Sequence, residues 1–434
     1  MTYASGVRSR PLLIAALAAL LVSLAPAGAR ASCLGVTVPQ VAQGLGSVSA
    51  GALVVAGPLE SDVAPASPAK AEELALRIAT LVAGKLTSAH AYPRTATLDQ
   101  ARAFAARSPA LVYVHVQIVK GELRVTADAY PVVHNIWDRV RLPPPPPNAH
   151  AYAVAPIDAE VRAFFPPIPL EQASVHKATH GEGDVLAVAC GDLDGDGGAE
   201  VVLVSRERVA LGRMRAGQFV VEKAMPWSAI AKRAPVPLRE PIAGAEIVTG
   251  RALVGITDRG GARLDAAFGA AEPLAGIPVG GGACATALPA AQGLSAQLSA
   301  CDAAPAATSG GSTDAASAFT LVGPDGAERR AVATRDSAGR LRLRVGDFDM
   351  ASFDGAGAQI AVYDADLDGA PEVAFSADGP DDAITLASTR GGAPKVITRW
   401  PAPAGVRALG ACPAEERGVP ALVAVVGNEV WLVR

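Results

Sequence analysis

Two distant segments of this chain repeat one pattern. Residues 186–205 read Leu-Ala-Val-Ala-Cys-Gly-Asp-Leu-Asp-Gly-Asp-Gly-Gly-Ala-Glu-Val-Val-Leu-Val-Ser, and residues 360–375 read Ile-Ala-Val-Tyr-Asp-Ala-Asp-Leu-Asp-Gly-Ala-Pro-Glu-Val-Ala-Phe. Each places Asp at positions 1, 3 and 5 of a short loop, Gly at 6 and Glu at 9, with a strand-like apolar run on either side. Alternate carboxylates in a tight loop converge on one hard cation, and glycine at position 6 lets the chain turn back so that position 9 closes the shell. The candidate ligands are Asp192, Asp194, Asp196 and Glu200 in the first loop and Asp364, Asp366, Asp368 and Glu372 in the second, with the backbone carbonyls of Gly198 and Ala370 as further oxygen donors.

An EF-hand needs flanking helices and a Glu at position 12, where this chain has Leu203 and Phe375 inside apparent strands. Two solvated Asx turns that bind nothing tightly are the plainer alternative. The arrangement of strand, Asp-x-Asp-x-Asp-Gly-x-x-Glu and strand resembles the calcium loop of FG-GAP (VCBS) repeats, as in the propellers of integrin α subunits. That resemblance implies a multi-bladed propeller with each Ca2+ held between the first two strands of a blade, in a structural role, and two such sites here.

Ten residues separate Cys190 from Glu200, and the same interval separates Cys284 from Leu294 and Cys412 from Leu422. With Val362 as the anchor of the second acidic loop, blades of about 40 to 50 residues leave room for unmarked blades near 245–256 and 319–332. The expected count is about six, with seven the alternative. Three strands, at 406–409, 422–426 and 429–433, then end the chain. Since a blade takes four, residues 170–180 are the candidate for the missing outer strand, closing the ring and covering its edges.

The amino terminus carries Arg8 and Arg10, an apolar run from Leu12 to Leu24 and Ala29-Arg30-Ala31, the three parts of a secretory signal peptide over 1–31. The run is too short to cross a bilayer, which takes about 20 residues. Arg30 stands where a lipobox usually has Leu, which argues against a lipid anchor on Cys33. Removing the peptide takes away three arginines and no acid, leaving a mildly acidic protein without a long basic run and therefore a poor nucleic-acid binder. Export to an oxidising compartment permits disulfides among the five cysteines, Cys33, Cys190, Cys284, Cys301 and Cys412. Cys284 and Cys301 bracket a hairpin-length segment and form the candidate bridge. Cys190 and Cys412 are expected to pack as small buried residues, because equivalent positions in neighbouring blades usually lie beyond bridging distance.

Before the repeats, residues 48–135 read as a small α/β domain. A short strand lies at 52–55 and a helix follows Pro68, with Leu74, Ile78 and Leu81 at helical spacing. A second helix is capped by Thr97, and strands at 111–119 and 122–129 meet at a Lys120-Gly121 turn. The order of elements resembles the N-terminal α/β domains of Tol-system and curli-secretion-type envelope proteins. Pro143 to Pro147 mark a proline-rich linker over 136–169, with a short helix expected at 158–165, and 170–434 remain for the propeller. Residues 302–317, rich in Ala, Ser, Thr and Gly, read as a long loop.

All six histidines precede the first blade. His176 and His180 have the spacing of a zinc-protease pair but lack its Glu, and no nucleophile elbow or phosphate-binding loop is present. The fold class expected is mainly β, a C-terminal propeller preceded by a small α/β domain. The function expected is an exported, non-catalytic binding or scaffolding protein of the periplasm, cell surface or exterior, engaging a protein or glycan through propeller loops. The rivals are an envelope-assembly factor acting through the α/β domain and a secreted propeller hydrolase or lyase, which would need convergent acids or histidines on blade loops.

Overall fold

The computed structural model describes residues 32–135, 137, 143–231, 240–248, 250–288, 292–303, 311–413 and 419–434. Residues 1–31, expected from sequence to be a signal peptide, lie outside them. Among the described residues no helix is long and apolar enough to cross a membrane.

Alternating buried and exposed side chains build the first layer. Strands β1 (Leu53–Ala56), β2 (Glu60–Ser61), β3 (His90–Ala91), β4 (Ala110–Val119), β5 (Glu122–Pro131) and β6 (Ala149–Pro156) form one sheet in the order β3-β1-β4-β5-β6, with β2 also on β4. Helices α1 (Cys33–Gly44) and α2 (Pro68–Lys85) cover one face, where Val112, Val114 and Val116 meet Leu74, Ile78 and Val41. Helix α3 (Leu98–Phe104) packs Ala101 against the other face, beside Leu111 and Tyr130. Thr97 caps α3 in a capping box with Gln100. Lys120 and Gly121 both have positive φ, at 52° and 77°, the geometry of a type I′ hairpin turn.

Two features of this layer differ from the sequence reading. Helix α1 precedes residue 48, where the domain was expected to start. The proline run is also not a boundary: after it, β6 pairs with β5 from Ala149 through Pro156, so Pro143–Pro147 lie in the connection between two antiparallel strands. A polyproline segment cannot join a sheet, but a hairpin connection does not ask it to. The expected helix at 158–165 is the single turn α4 (Ala159–Arg162), capped by Asp158. Ser32–Arg434 form one compact unit.

The rest of the chain is a ring of six four-stranded blades among the described residues. Blade 1 comprises β8 (Val185–Gly191), β9 (Glu200–Ser205), β10 (Arg208–Arg215) and β11 (Gln218–Pro226). Blade 2 comprises β12 (Ala243–Val248), β13 (Arg251–Ile256), β14 (Gly260–Asp265) and β15 (Ala271–Leu274), and blade 3 β16 (Ile277–Gly280), β17 (Ala283–Leu288), β18 (Gly293–Ala300) and β19 (Ser312–Thr313). Blade 4 follows with β20 (Ala315–Val322), β21 (Glu328–Arg335), β22 (Leu341–Val345) and β23 (Phe348–Phe353), and blade 5 with β24 (Ile360–Tyr363), β25 (Glu372–Phe375), β26 (Ala383–Ser388) and β27 (Lys395–Pro401). Blade 6 takes β28 (Val406–Cys412), β29 (Ala421–Val426) and β30 (Glu429–Val433) from the end of the chain and its outer strand β7 (Val175–Thr179) from before blade 1. That strand is the closing element expected from the missing fourth strand. Its last residue also pairs with β11, joining blades 6 and 1 along the outside.

The innermost strands β8, β12, β16, β20, β24 and β28 touch one another in that order and β28 returns to β8. The approach is close enough to demand glycine. A Cβ on Gly244 would lie 1.8 Å from the Pro278 carbonyl oxygen, and one on Gly410 would lie 2.4 Å from that of Val188. Cores lie between adjacent blades, as where Val202, Val204 and Leu211 of blade 1 meet Ala252, Val254 and Leu264 of blade 2. Burying each such Val or Leu contributes about 1.5–3 kcal/mol, which is how scarce aromatics suffice. The expected loop at 302–317 is shorter than proposed, because Ser312–Thr313 complete blade 3 and Ala315 starts blade 4; 304–310 fall outside the described residues.

Candidate functional site

Both acidic loops connect the first and second strands of a blade, β8 to β9 and β24 to β25. Their backbones fold alike because the side chains at positions 1, 3 and 5 capture amides further along the loop. Asp192 accepts from the amides of Gly195 at 2.7 Å and Gly197 at 3.1 Å, and Asp364 from those of Asp368 and Gly369, both at 3.0 Å. Asp194 accepts from the Asp196 amide, and Asp366 from that of Asp368. Gly198 and Ala370 enter through their amides, which donate to Asp196 and Asp368 at 2.8 Å. Gly197 and Gly369 at position 6 take φ of 85° and 82°, the left-handed conformation the return requires. The Glu closes each loop by accepting from the amide at position 2, Glu200 from Leu193 at 2.7 Å and Glu372 from Ala365 at 2.8 Å.

The loops thus bring together three of the four expected carboxylates in each set, with Asp196 and Asp368 outside the clusters. Asp192, Asp194 and Glu200 each offer an oxygen within 4.8 Å of the others, as do Asp364, Asp366 and Glu372. The two sites differ in electrostatics. In the second, all three carboxylates are buried. Burial pushes Asp364 up to about 7 and Glu372 up to about 9, reinforced by neighbouring acids, and it raises Asp366 as well, with Asp368 adding to the effect. Arg390, its side chain half exposed, reaches Asp366 and Asp368 at 3.1 Å from the rim and only partly offsets this. Three desolvated carboxylates aimed at one point fit a divalent cation of the oxygen-seeking kind, which would supply the missing charge.

In the first loop the charge is met from within the protein. Arg213 on β10 donates through Nε to Glu200 at 2.7 Å and through Nη2 to Asp194 at 3.0 Å, Asp196 at 2.8 Å and Glu200. Asp196 accordingly lies below the usual carboxylate range, held there by the Gly198 amide and then by Arg213. Asp192, Asp194 and Glu200 converge, but the Arg213 guanidinium bonds two of them, Asp194 and Glu200, together with Asp196. Sequence reasoning missed Arg213. It lies on β10, the strand after that of Glu200, and only strand register reveals that it faces the loop.

The second loop connects to the first layer through a turn of blade 4. Gly369 lies against Pro324 in the turn between β20 and β21, and Gly326 of that turn lies against Glu160 of α4, which pairs with Arg77 of α2.

The cysteines pair as Cys284–Cys301 and Cys190–Cys412. The second bridge corrects the expectation that Cys190 and Cys412 stay unpaired. Both lie on innermost strands, of blades 1 and 6, where the ring radius is smallest and their Cα atoms are 4.7 Å apart. Cys284 lies instead on a second strand, β17, so it is not their equivalent. Cys33 is a free, buried thiol. Of the two histidines with protease-like spacing, His176 is exposed on β7 and His180 is buried beyond it. Arg342 and Arg344 point to solvent from β22.

No protein-family model and no curated protein sequence matches the chain. Among solved structures it is similar to AofleA from Arthrobotrys oligospora, at 11% identity and a TM-score of 0.36 over 60% of this chain and 86% of that one. It is also similar to the Cps50 (Swd1) beta-propeller domain of Myceliophteria thermophila, at 8% identity and a TM-score of 0.32 over 73% and 95% of the two chains. A third is U3-55K, at 13% identity and a TM-score of 0.31 over 72% and 91%. The propeller assignment rests on this chain's own strand order and ring closure.

Proposed function

We propose that this is an exported, non-catalytic binding or scaffolding protein of the FG-GAP/VCBS type, whose ring is stiffened by calcium at the Asp364 loop. The carrying observation is the buried trio Asp364, Asp366 and Glu372, held by loop amides between the first two strands of blade 5. A divalent ion there ties the loop to β25 and, through Pro324, steadies the turn that meets the α/β layer. A rigid ring that presents loops suits the capture of a protein or glycan partner. Two disulfides support an oxidising compartment, and the burial of Cys33 in the α/β core supports an unlipidated chain.

The test is thermal unfolding of the mature protein in millimolar calcium, in magnesium and in chelator, beside Asp366→Asn. Binding to the native state raises the midpoint, by an amount set by concentration over Kd. A calcium-specific rise that Asp366→Asn abolishes is the expected result. Superimposable curves in all three conditions would reduce the loop to an ordinary turn.

A further inference from the structure

The two loops share five signature residues and differ at one cross-strand position. Ser388 on β26 pairs in register with Glu372 and donates its hydroxyl to that carboxylate at 2.7 Å. In blade 1, Gly212 pairs with Val201, so the next residue, Arg213, stands across from Glu200 as Ser388 stands across from Glu372. Where blade 5 has a short neutral hydroxyl, blade 1 has a guanidinium long enough to reach Asp194, Asp196 and Glu200 together. Its planar fork of fixed donors suits several carboxylates at once. Arg390, by contrast, lies beyond the end of β26 and reaches only Asp366 and Asp368.

We infer that Arg213 is the resident cation of the first loop, so that blade 1 is latched by its own arginine and takes up no metal while that arginine is there. A divalent ion in the same space would face a guanidinium bonded to three of the four candidate carboxylate ligands. The signature Asp-x-Asp-x-Asp-Gly-x-x-Glu therefore specifies the loop's shape, and the residue across from its Glu decides which cation neutralises it.

Calcium counted by equilibrium dialysis on the full mature chain tests this, with wild type, Asp194→Asn, Arg213→Ser and Ser388→Arg. The expected counts are one for wild type, one for Asp194→Asn, two for Arg213→Ser and none for Ser388→Arg. The gain in Arg213→Ser rests on the calcium reading of the second loop, whose donor set it copies. Two ions in wild type, or an ion lost with Asp194→Asn, would overturn the inference, as would a folded Arg213→Ser that binds no more than wild type binds when wild type binds one. A double-mutant cycle in chelator, pairing Arg213→Ser with Asp194→Asn, separates the two ideas. Strong coupling in midpoint shifts with no calcium bound by any variant would keep the arginine latch and sink the calcium reading; additive shifts would sink the latch. Should Arg213→Ser fail to fold, the wild-type count and the Asp194→Asn count still decide.

Discussion

Replacing Cys190 and Cys412 together by alanine should cost this protein more than replacing Cys284 and Cys301, although both pairs are single bridges between buried residues. The difference comes from the length of chain each one closes, with sequence separations of 222 and 17. In the chain-entropy account the denatured state loses about 2.1 + 1.5R ln n cal/mol/K, which gives about 5 kcal/mol for the long loop and about 3 kcal/mol for the short one at 25 °C. Unfolding entropy near 2.1 cal/mol/K per residue, over roughly 400 residues, converts these to midpoint losses of about 6 °C and about 4 °C. Scanning calorimetry of wild type and both double variants provides the measurement. A thiol count in denaturant accompanies it, for which wild type should show Cys33 alone. Five reactive thiols in wild type would refute the pairing. A larger loss from the short loop would refute the argument from chain length.

Three further results should follow from the structure. Gly410→Ala places a methyl 2.4 Å from a backbone oxygen at the junction of blades 6 and 1, so it should destabilise by about 1–3 kcal/mol in chemical denaturation. Gly84→Ala, in α2 with nothing within 4 Å, should instead stabilise by about 0.4–1 kcal/mol. Burial lowers the pKa of His180, partly opposed by the Gly427 backbone and Glu182. The unfolded chain therefore binds a proton that the native state refuses as pH falls below about 6.5. Above that value the group costs nothing; below it, stability falls until the folded pKa is reached. The midpoint of wild type should drop more between pH 7 and pH 5 than that of His180→Gln, and parallel curves would contradict this.

Much of the ring was legible because its signals are local. Apolar runs between turn residues mark strands, and the last blade, one strand short, pointed directly to residues 170–180. The acidic loops were legible because their shape is set by side chains within nine residues. What escaped depends on distances that spacing does not encode. Cys190 and Cys412 meet because innermost strands crowd the axis, a matter of radius. The shared ten-residue interval put Cys284 in their class, yet it lies one strand further out. Arg213 lies 13 residues after Glu200 and Ser388 lies 16 after Glu372, so only the ladders show them to be equivalent. Helix α1 was hidden by its Val, Thr and internal Pro39, and β6 by the prolines ahead of it.

The closing strand also determines how the ring responds to force. In the β7–β30 ladder Val175 lies opposite Val433 and Thr179 opposite Glu429, and Ser174 and Arg434 exchange backbone hydrogen bonds at the same end. A pull between the α/β layer and Arg434 loads that end first and opens the pairs one after another, as a zipper opens, instead of straining all of them together. The tear would run through β30 and β29 and halt at Cys412, whose bond to Cys190 still holds blade 6 to blade 1. A protein tethered at both ends could thus lengthen under load while five blades and the inner girdle stay closed, and it could re-zip when the load is released.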